Sequence, residues 1–257
     1  MNFLIGLATG VFGGLIGIGG GVIMIPLMVG ILKMEQHKAQ GTSLVALVFT
    51  GVSGALTYMS RGSVDLPAAI ILASTAIFTA RAGANFANAL PEWKLKRSFG
   101  GLLFVATILL LLKSYPSHMT VAPAEWTKVV ILLLTGGVTG FLSGMLGVGG
   151  GSTMVPAMVL FTGFTQYTAQ GSSLLAMIPI GLAGAHTHWR FGNISRETLP
   201  GLIPGILLGS FFGGSLAHSL PELALRMIFA VVLVWTGIKF IRTPKSVSET
   251  DEGNTRV

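Results

Sequence analysis

Displaced by 130 residues, the sequence matches itself without a gap: residues 10–62 against 140–192 give 22 identities in 53 positions. The matched stretches include GLIGIGGGVIMIP at 14–26 and GMLGVGGGSTMVP at 144–156. Gly and Pro are the two worst residues for a helix interior, at roughly 1 and 3 kcal/mol relative to Ala. One such interruption would read as a loop; two at a fixed offset read as a device that the fold uses twice. Further on, QHKAQGTSL at 36–44 answers QYTAQGSSL at 166–174, and Leu90-Pro91-Glu92 keeps the same offset from Leu220-Pro221-Glu222. Two homologous halves follow, 1–116 and 127–243, joined by a polar linker at 117–126. The charged stretch at 244–257 has the composition of a disordered tail.

The medium in which these halves fold is set by composition. Charged residues make up 10% of the chain and hydrophobic ones 51%, whereas soluble domains carry about 25% charged residues. Long apolar runs recur throughout without the strict alternation of a barrel strand, so the sequence predicts an all-α polytopic membrane protein. Each half reads as an apolar segment up to the glycines (3–18; 127–148), a short one after them (22–32; 152–162) and three longer ones (42–60, 66–90, 97–113; 172–189, 198–219, 224–241). A crossing helix needs about 20 residues. The 11-residue segments are therefore expected to reach halfway and to form re-entrant pairs with their predecessors. The N-terminal stretch lacks a basic leader region and is expected to be retained.

If the chain reverses at each triple glycine, each half crosses an odd number of times and the halves are inverted. An N-terminus in the cytoplasm then puts Lys33, Lys38, Lys94, Lys96, Arg97, Arg190, Arg196, Lys239, Arg242 and Lys245 on that side. Arg61, Lys113, Lys128 and Arg226 face the other way, a ratio of ten to four. Treating each interrupted stretch as one crossing gives eight to six. The positive-inside rule favours inverted repeats with both termini cytoplasmic. The net charge of +7 is accounted for by these loops and by anionic lipid headgroups. No basic run with interleaved aromatics points to nucleic acid.

All nine acidic residues fall in predicted loops or the tail, and cation pathways normally carry a buried carboxylate. The expected substrate is a small anion, with a neutral solute or a cation as the alternatives. Three features could hold an anion. At the glycine breaks (Gly19, Gly20, Gly21; Gly149, Gly150, Gly151, with Ser152), a helix starting afresh leaves unpaired N–H groups. At Gln40, Thr42, Ser43 and at Gln170, Ser172, Ser173, each set expected to open a span, hydroxyls either cap the helix or donate to a ligand. Arg81 is the one charge inside a predicted span, either facing the substrate or bonded to backbone carbonyls. His186 and His188 lie near a predicted span end and suit an interfacial or gating role. Their i, i+2 spacing does not aim both rings one way, so no metal is expected there. Trp189 and Arg190 beside them have the character of boundary anchors.

Two motifs are discounted. GVSG at 51–54 matches the G-x-S-G of intramembrane serine proteases, which would make Ser53 a nucleophile. Its counterpart GLAG at 181–184 keeps the small residues and drops the serine, the pattern of helix packing. The triple glycine lacks the Gly-Lys-Ser/Thr of a phosphate loop. With no cysteine in the chain, thiolate chemistry is excluded, and no cofactor is expected.

The two GxxGxGGG(x)4P stretches and the two A-Q-G-[TS]-S-L stretches resemble the TauE/SafE family of bacterial membrane proteins, whose members are called sulfite exporters or sulfonate-related permeases. The resemblance covers residues 3–241. It implies transport of a small sulfur oxyanion or organosulfonate across the inner membrane, usually outward. It does not choose among sulfite, sulfonates and thiosulfate, and Arg81 lies outside its motifs. The resulting expectation is a secondary transporter working by alternating access, with a passive anion channel as the rival. The oligomeric state is left open.

Overall fold

A computed structural model of the chain describes residues 1–87 and 124–242, together with Gly101, Phe104, Thr107 and Ile108. Of Lys239 and Phe240 it describes the backbone alone. The rest of the predicted segment at 97–113, the Leu90-Pro91-Glu92 motif, most of the linker and the tail at 244–257 lie outside those residues.

Among the described residues all regular structure is helical: α1 (Asn2–Ile16), α2 (Gly21–Gly30), α3 (Gln36–Met59), α4 (Leu66–Phe86), α5 (Glu125–Leu146), α6 (Gly151–Ala157), α7 (Gln166–Arg190), α8 (Leu199–Ala217) and α9 (Glu222–Ile241). A π-helical turn, Met158–Thr162, prolongs α6. Four helices, α3, α4, α5 and α8, are long and apolar enough to cross a membrane. At 1.5 Å per residue, the 10 residues of α2 span about 15 Å, half of the roughly 30 Å hydrocarbon core. The short segments are thus half-length. Helix α5 begins at Glu125, two residues inside the expected linker, where Glu125 forms a salt bridge with Lys128 one turn on.

Size is sorted in the manner of a membrane protein. On α4 the buried positions are mostly alanine, including Ala69, Ala73, Ala76 and Ala80, while Ile70 and Phe78 point outward. Lipid offers no hydrophobic penalty to an exposed Phe, so small residues are kept for close helix contact. The tightest seams join α1 to α8 and α5 to α4. A Cβ on Gly10 would lie 2.6 Å from Ile206 O, and one on Gly209 would lie 2.3 Å from Leu7 O. The matching seam places the Cα of Gly140 so near Ala76 that a Cβ would lie 2.3 Å from its carbonyl oxygen. Each half therefore lays its first helix against the fourth helical segment of the other half, and α3 and α7 pack together between them.

Candidate functional site at the two glycine breaks

Both breaks are built by left-handed glycines. Helix α1 ends where Gly17 adopts φ +73° and donates its N–H to Gly13 O at 2.9 Å. Gly19 and Gly20 continue at φ +86° and +79° into α2. Helix α5 ends in the same way at Gly147, φ +67°, and the chain passes through Gly149 at +85° into α6. An L side chain in this region costs roughly 1–2 kcal/mol, which is why the sequence places glycine there. No side chain caps the start of α2 or of α6, so their first N–H groups lack both an intrahelical partner and a side-chain cap.

The two breaks meet. A Cβ on Gly21 would lie 2.6 Å from Gly147 O and 2.7 Å from Val148 O, and one on Gly151 would lie 2.0 Å from Gly17 O. Backbone touches backbone at a buried point. The six glycines, Gly19–Gly21 and Gly149–Gly151, are all buried.

The hydroxyls of the Q-G-[TS]-S stretches have definite partners across this contact. Ser43 Oγ shares its hydrogen between Gly147 O at 2.6 Å and Gln40 O of its own helix at 2.7 Å, and Ser173 Oγ between Gly17 O at 2.9 Å and Gln170 O at 2.8 Å. Each serine holds the last turn before the other half's break. Thr42 and Ser172 are turned toward loops instead: Thr42 Oγ1 accepts from Ser195 N at 3.0 Å, and Ser172 Oγ accepts from Asp65 N at 2.8 Å. Between them, Gly41 and Gly171 let those loops approach, since a Cβ there would fall 1.9 Å from Asn193 O and 2.1 Å from Ser63 O.

Gln40 and Gln170 stand against Gly147 and Gly17. Tyr58 donates its hydroxyl to Gln170 Oε1 at 2.8 Å, and the tyrosine oxygen also stands 3.1 Å from Gly14 O. At the matching position, His188 Nε2 lies 3.1 Å from Gly144 O. A carbonyl only accepts, so this nitrogen carries the hydrogen.

Several sequence expectations need correction. The Q-G-[TS]-S residues do not open their spans: α3 starts at Gln36 and α7 at Gln166, one turn earlier. In α7 the cap is Thr165, whose side chain accepts from Thr168 N. Arg81 is exposed, on an outward stripe of α4 with Ile70, Ser74, Phe78 and Asn85, and is not brought to the breaks. His186 is exposed while His188 is buried, as their spacing requires. Trp189 and Arg190 are exposed at the end of α7. Ser53 donates to Leu207 O at 2.7 Å, a helix–helix contact. Among the described residues no charged side chain is buried; the buried polar set consists of Ser, Thr, Gln and His188.

Sequence reading passed over Tyr58 and Thr139. Thr139 packs its methyl against Gly150, where a Cβ would lie 2.5 Å away. Its signal was available: Thr9 and Thr139 each stand eight residues before the glycine that ends their helix, 130 residues apart.

A model of the family described as "Sulfite exporter TauE/SafE" matches residues 2–240. The "Probable membrane transporter protein YunE" of Bacillus subtilis is 27% identical over 267 residues, covering 94% of this chain and 98% of its own. A second Bacillus subtilis protein, "Probable membrane transporter protein YdhB", is 25% identical across 87% of this chain and 92% of its own. A "Probable membrane transporter protein" of Xylella fastidiosa is 27% identical across 93% and 91%. No solved structure matches the chain.

Proposed function

From the premise that the chain belongs to the TauE/SafE sulfite exporter family of membrane transporters, we propose that it is a secondary transporter that exports a small sulfur-containing anion, sulfite or an organosulfonate. In this reading the halves are inverted repeats in a bacterial inner membrane, both termini are cytoplasmic, and transport proceeds by alternating access, with the interlocked seams α1–α8 and α4–α5 moving as units. The observation that carries it is the buried crossing at which the uncapped start of α2, Gly21, meets the end of α5 at Gly147 and the uncapped start of α6, Gly151, meets the end of α1 at Gly17. The first N–H groups of α2 and α6 favour negative charge there, and the surrounding buried side chains are neutral. The glycine backbones in contact form the closed centre of the cycle, and their separation admits the anion. Arg81 is left out of this site because its side chain is exposed.

The purified protein should be stabilised by sulfite or a sulfonate in a panel that also holds carboxylates, Na⁺ and organic cations. Arg81→Ala should respond as wild type does. In liposomes, uptake of the best ligand should saturate and show counter-transport. Non-saturating flux without counter-transport would make the protein a passive channel. Stabilisation by a cation alone would end the anion reading.

A further inference from the structure

We propose that the anion is recognised from one side only, by the hydroxyls of Thr139 and Ser152 and the side-chain amide of Gln170, and that it is a monovalent oxyanion. The assignment rests on the anion-transport reading and deepens it. A buried hydroxyl or amide away from water is costly unless hydrogen-bonded. Thr139 Oγ1, Ser152 Oγ and Gln170 Nε2 are each buried without a partner, on residues no more than 1% exposed. His188 Nδ1 is also unpartnered, but with the hydrogen on Nε2 it is an acceptor; Gln166 and Arg226 carry unpartnered atoms too, and both stand by Glu222 near the starts of α7 and α9.

The residues that carry the three donors are strung along one backbone contact. Gly17 and Gly151 are in backbone contact; Gln170 packs its Cβ and Cγ on Gly17; Thr139 packs on Gly150; Ser152 follows Gly151. Tyr58 occupies the carbonyl oxygen of Gln170, which leaves its NH₂ free to donate. Three donors match three oxygens of a sulfonate or sulfite.

The first half offers a control within the same molecule. Where Thr139 is unpartnered, Thr9 spends its hydroxyl hydrogen on Ile5 O at 2.7 Å in its own helix. Where the second half has Ser152, the first has Val22. The two hydroxyls thus belong to the second break alone, while Gln170 reaches across to the first break at Gly17. Among the described residues no charged side chain is buried, so none of them offsets the desolvation of a second negative charge.

The test compares wild type, Thr139→Val, Ser152→Ala and, as control, Thr9→Val, with methanesulfonate, sulfite and sulfate as probes and binding read by calorimetry and thermal shift. Thr139→Val and Ser152→Ala should each weaken methanesulfonate or sulfite binding about 10-fold or more, the scale of a hydrogen bond to a charged group. Thr9→Val should leave it unchanged. Without ligand, both second-half variants should keep or raise the wild-type melting temperature, because an unpartnered hydroxyl contributes no bond. Wild-type affinity in both variants, or a ligand-free loss of stability, overturns the assignment while leaving anion transport standing. Sulfate binding tighter than methanesulfonate overturns the monovalent class. A wild-type protein blind to all three anions overturns the transport reading, and the assignment with it.

Discussion

At the start of α2, Gly20 sits at φ +79°, hemmed in by the backbone oxygen of Thr9; at the matching start of α6, Gly150 sits at φ −90°, against the side chains of Thr139 and Met154. The contrast recurs along the two halves. Contacts that reach a backbone carbonyl across the halves are shared: Ser43 and Ser173 stand at equivalent carbonyls, and Gly41 and Gly171 receive equivalent loops. Contacts made through side-chain chemistry diverge: Tyr58 stands for His188, Val22 for Ser152, Lys33 for Gly163. Shared backbone contacts define the frame, and the divergent positions are where the frame carries something specific to one side.

The largest expected effect tests whether the halves face opposite ways. The chain contains no cysteine, so single-cysteine variants can be read against a silent background. Glu35→Cys and Thr165→Cys replace exposed residues at equivalent positions before α3 and α7. In intact cells a membrane-impermeant maleimide should label Thr165→Cys and leave Glu35→Cys unlabelled until the membrane is opened. Labelling of both or of neither in intact cells removes the inverted arrangement.

A smaller effect should separate the two breaks. Gly20→Ala meets a left-handed backbone, at roughly 1–2 kcal/mol, and also meets Thr9 O at 2.6 Å, where nothing can yield. With an overpacking cost of typically 1–3 kcal/mol, the loss should total about 3 kcal/mol. Gly150→Ala has an ordinary φ and meets only side chains, Thr139 Cγ2 at 2.5 Å and the flexible end of Met154. It should cost about 1 kcal/mol while displacing Thr139, so the fold survives and anion binding weakens. Thermal unfolding of the two variants in one detergent checks the order; equal losses would mean that the breaks are not distinct.

How far the sequence reveals such differences depends on the kind of contact. The paired breaks and half-length helices were legible because glycine and proline act locally, through φ and the missing N–H. The helix starts were misplaced by a turn, because Gln36–Ala39 and Gln166–Ala169 look like loop by polarity while Thr165 caps α7 from further upstream. Arg81 could not be assigned a face, since one charge in an apolar segment has no periodicity. The hydroxyls were the least legible part. Whether Ser43 donates to a ligand or to Gly147 O depends on a chain segment 104 residues away, and composition carries no information on that.

The smallest expected effect isolates backbone strain from everything else. Lys33 and Gly163 close equivalent turns after the half-length helices, and both are left-handed, at φ +53° and +78°. In each turn the following amide reaches back six residues, from Met34 to Met28 O and from Phe164 to Met158 O. A Cβ at Gly163 would meet nothing within 4 Å, so only its φ opposes a side chain there. Lys33→Gly should therefore raise stability by about 0.5–1 kcal/mol, the relief of a left-handed L-residue less the added freedom of the unfolded chain. Gly163→Ala should lower it by a similar amount. Lys33→Ala keeps the strain while removing the charge, so a gain in melting temperature with Ala equal to that with Gly would trace the effect to the charge on that face and not to the turn. If instead only the glycine variant gains, the lysine is held there against its backbone preference. Its side chain then belongs, like Ser152 and His188, among the positions where one half carries what the other does not.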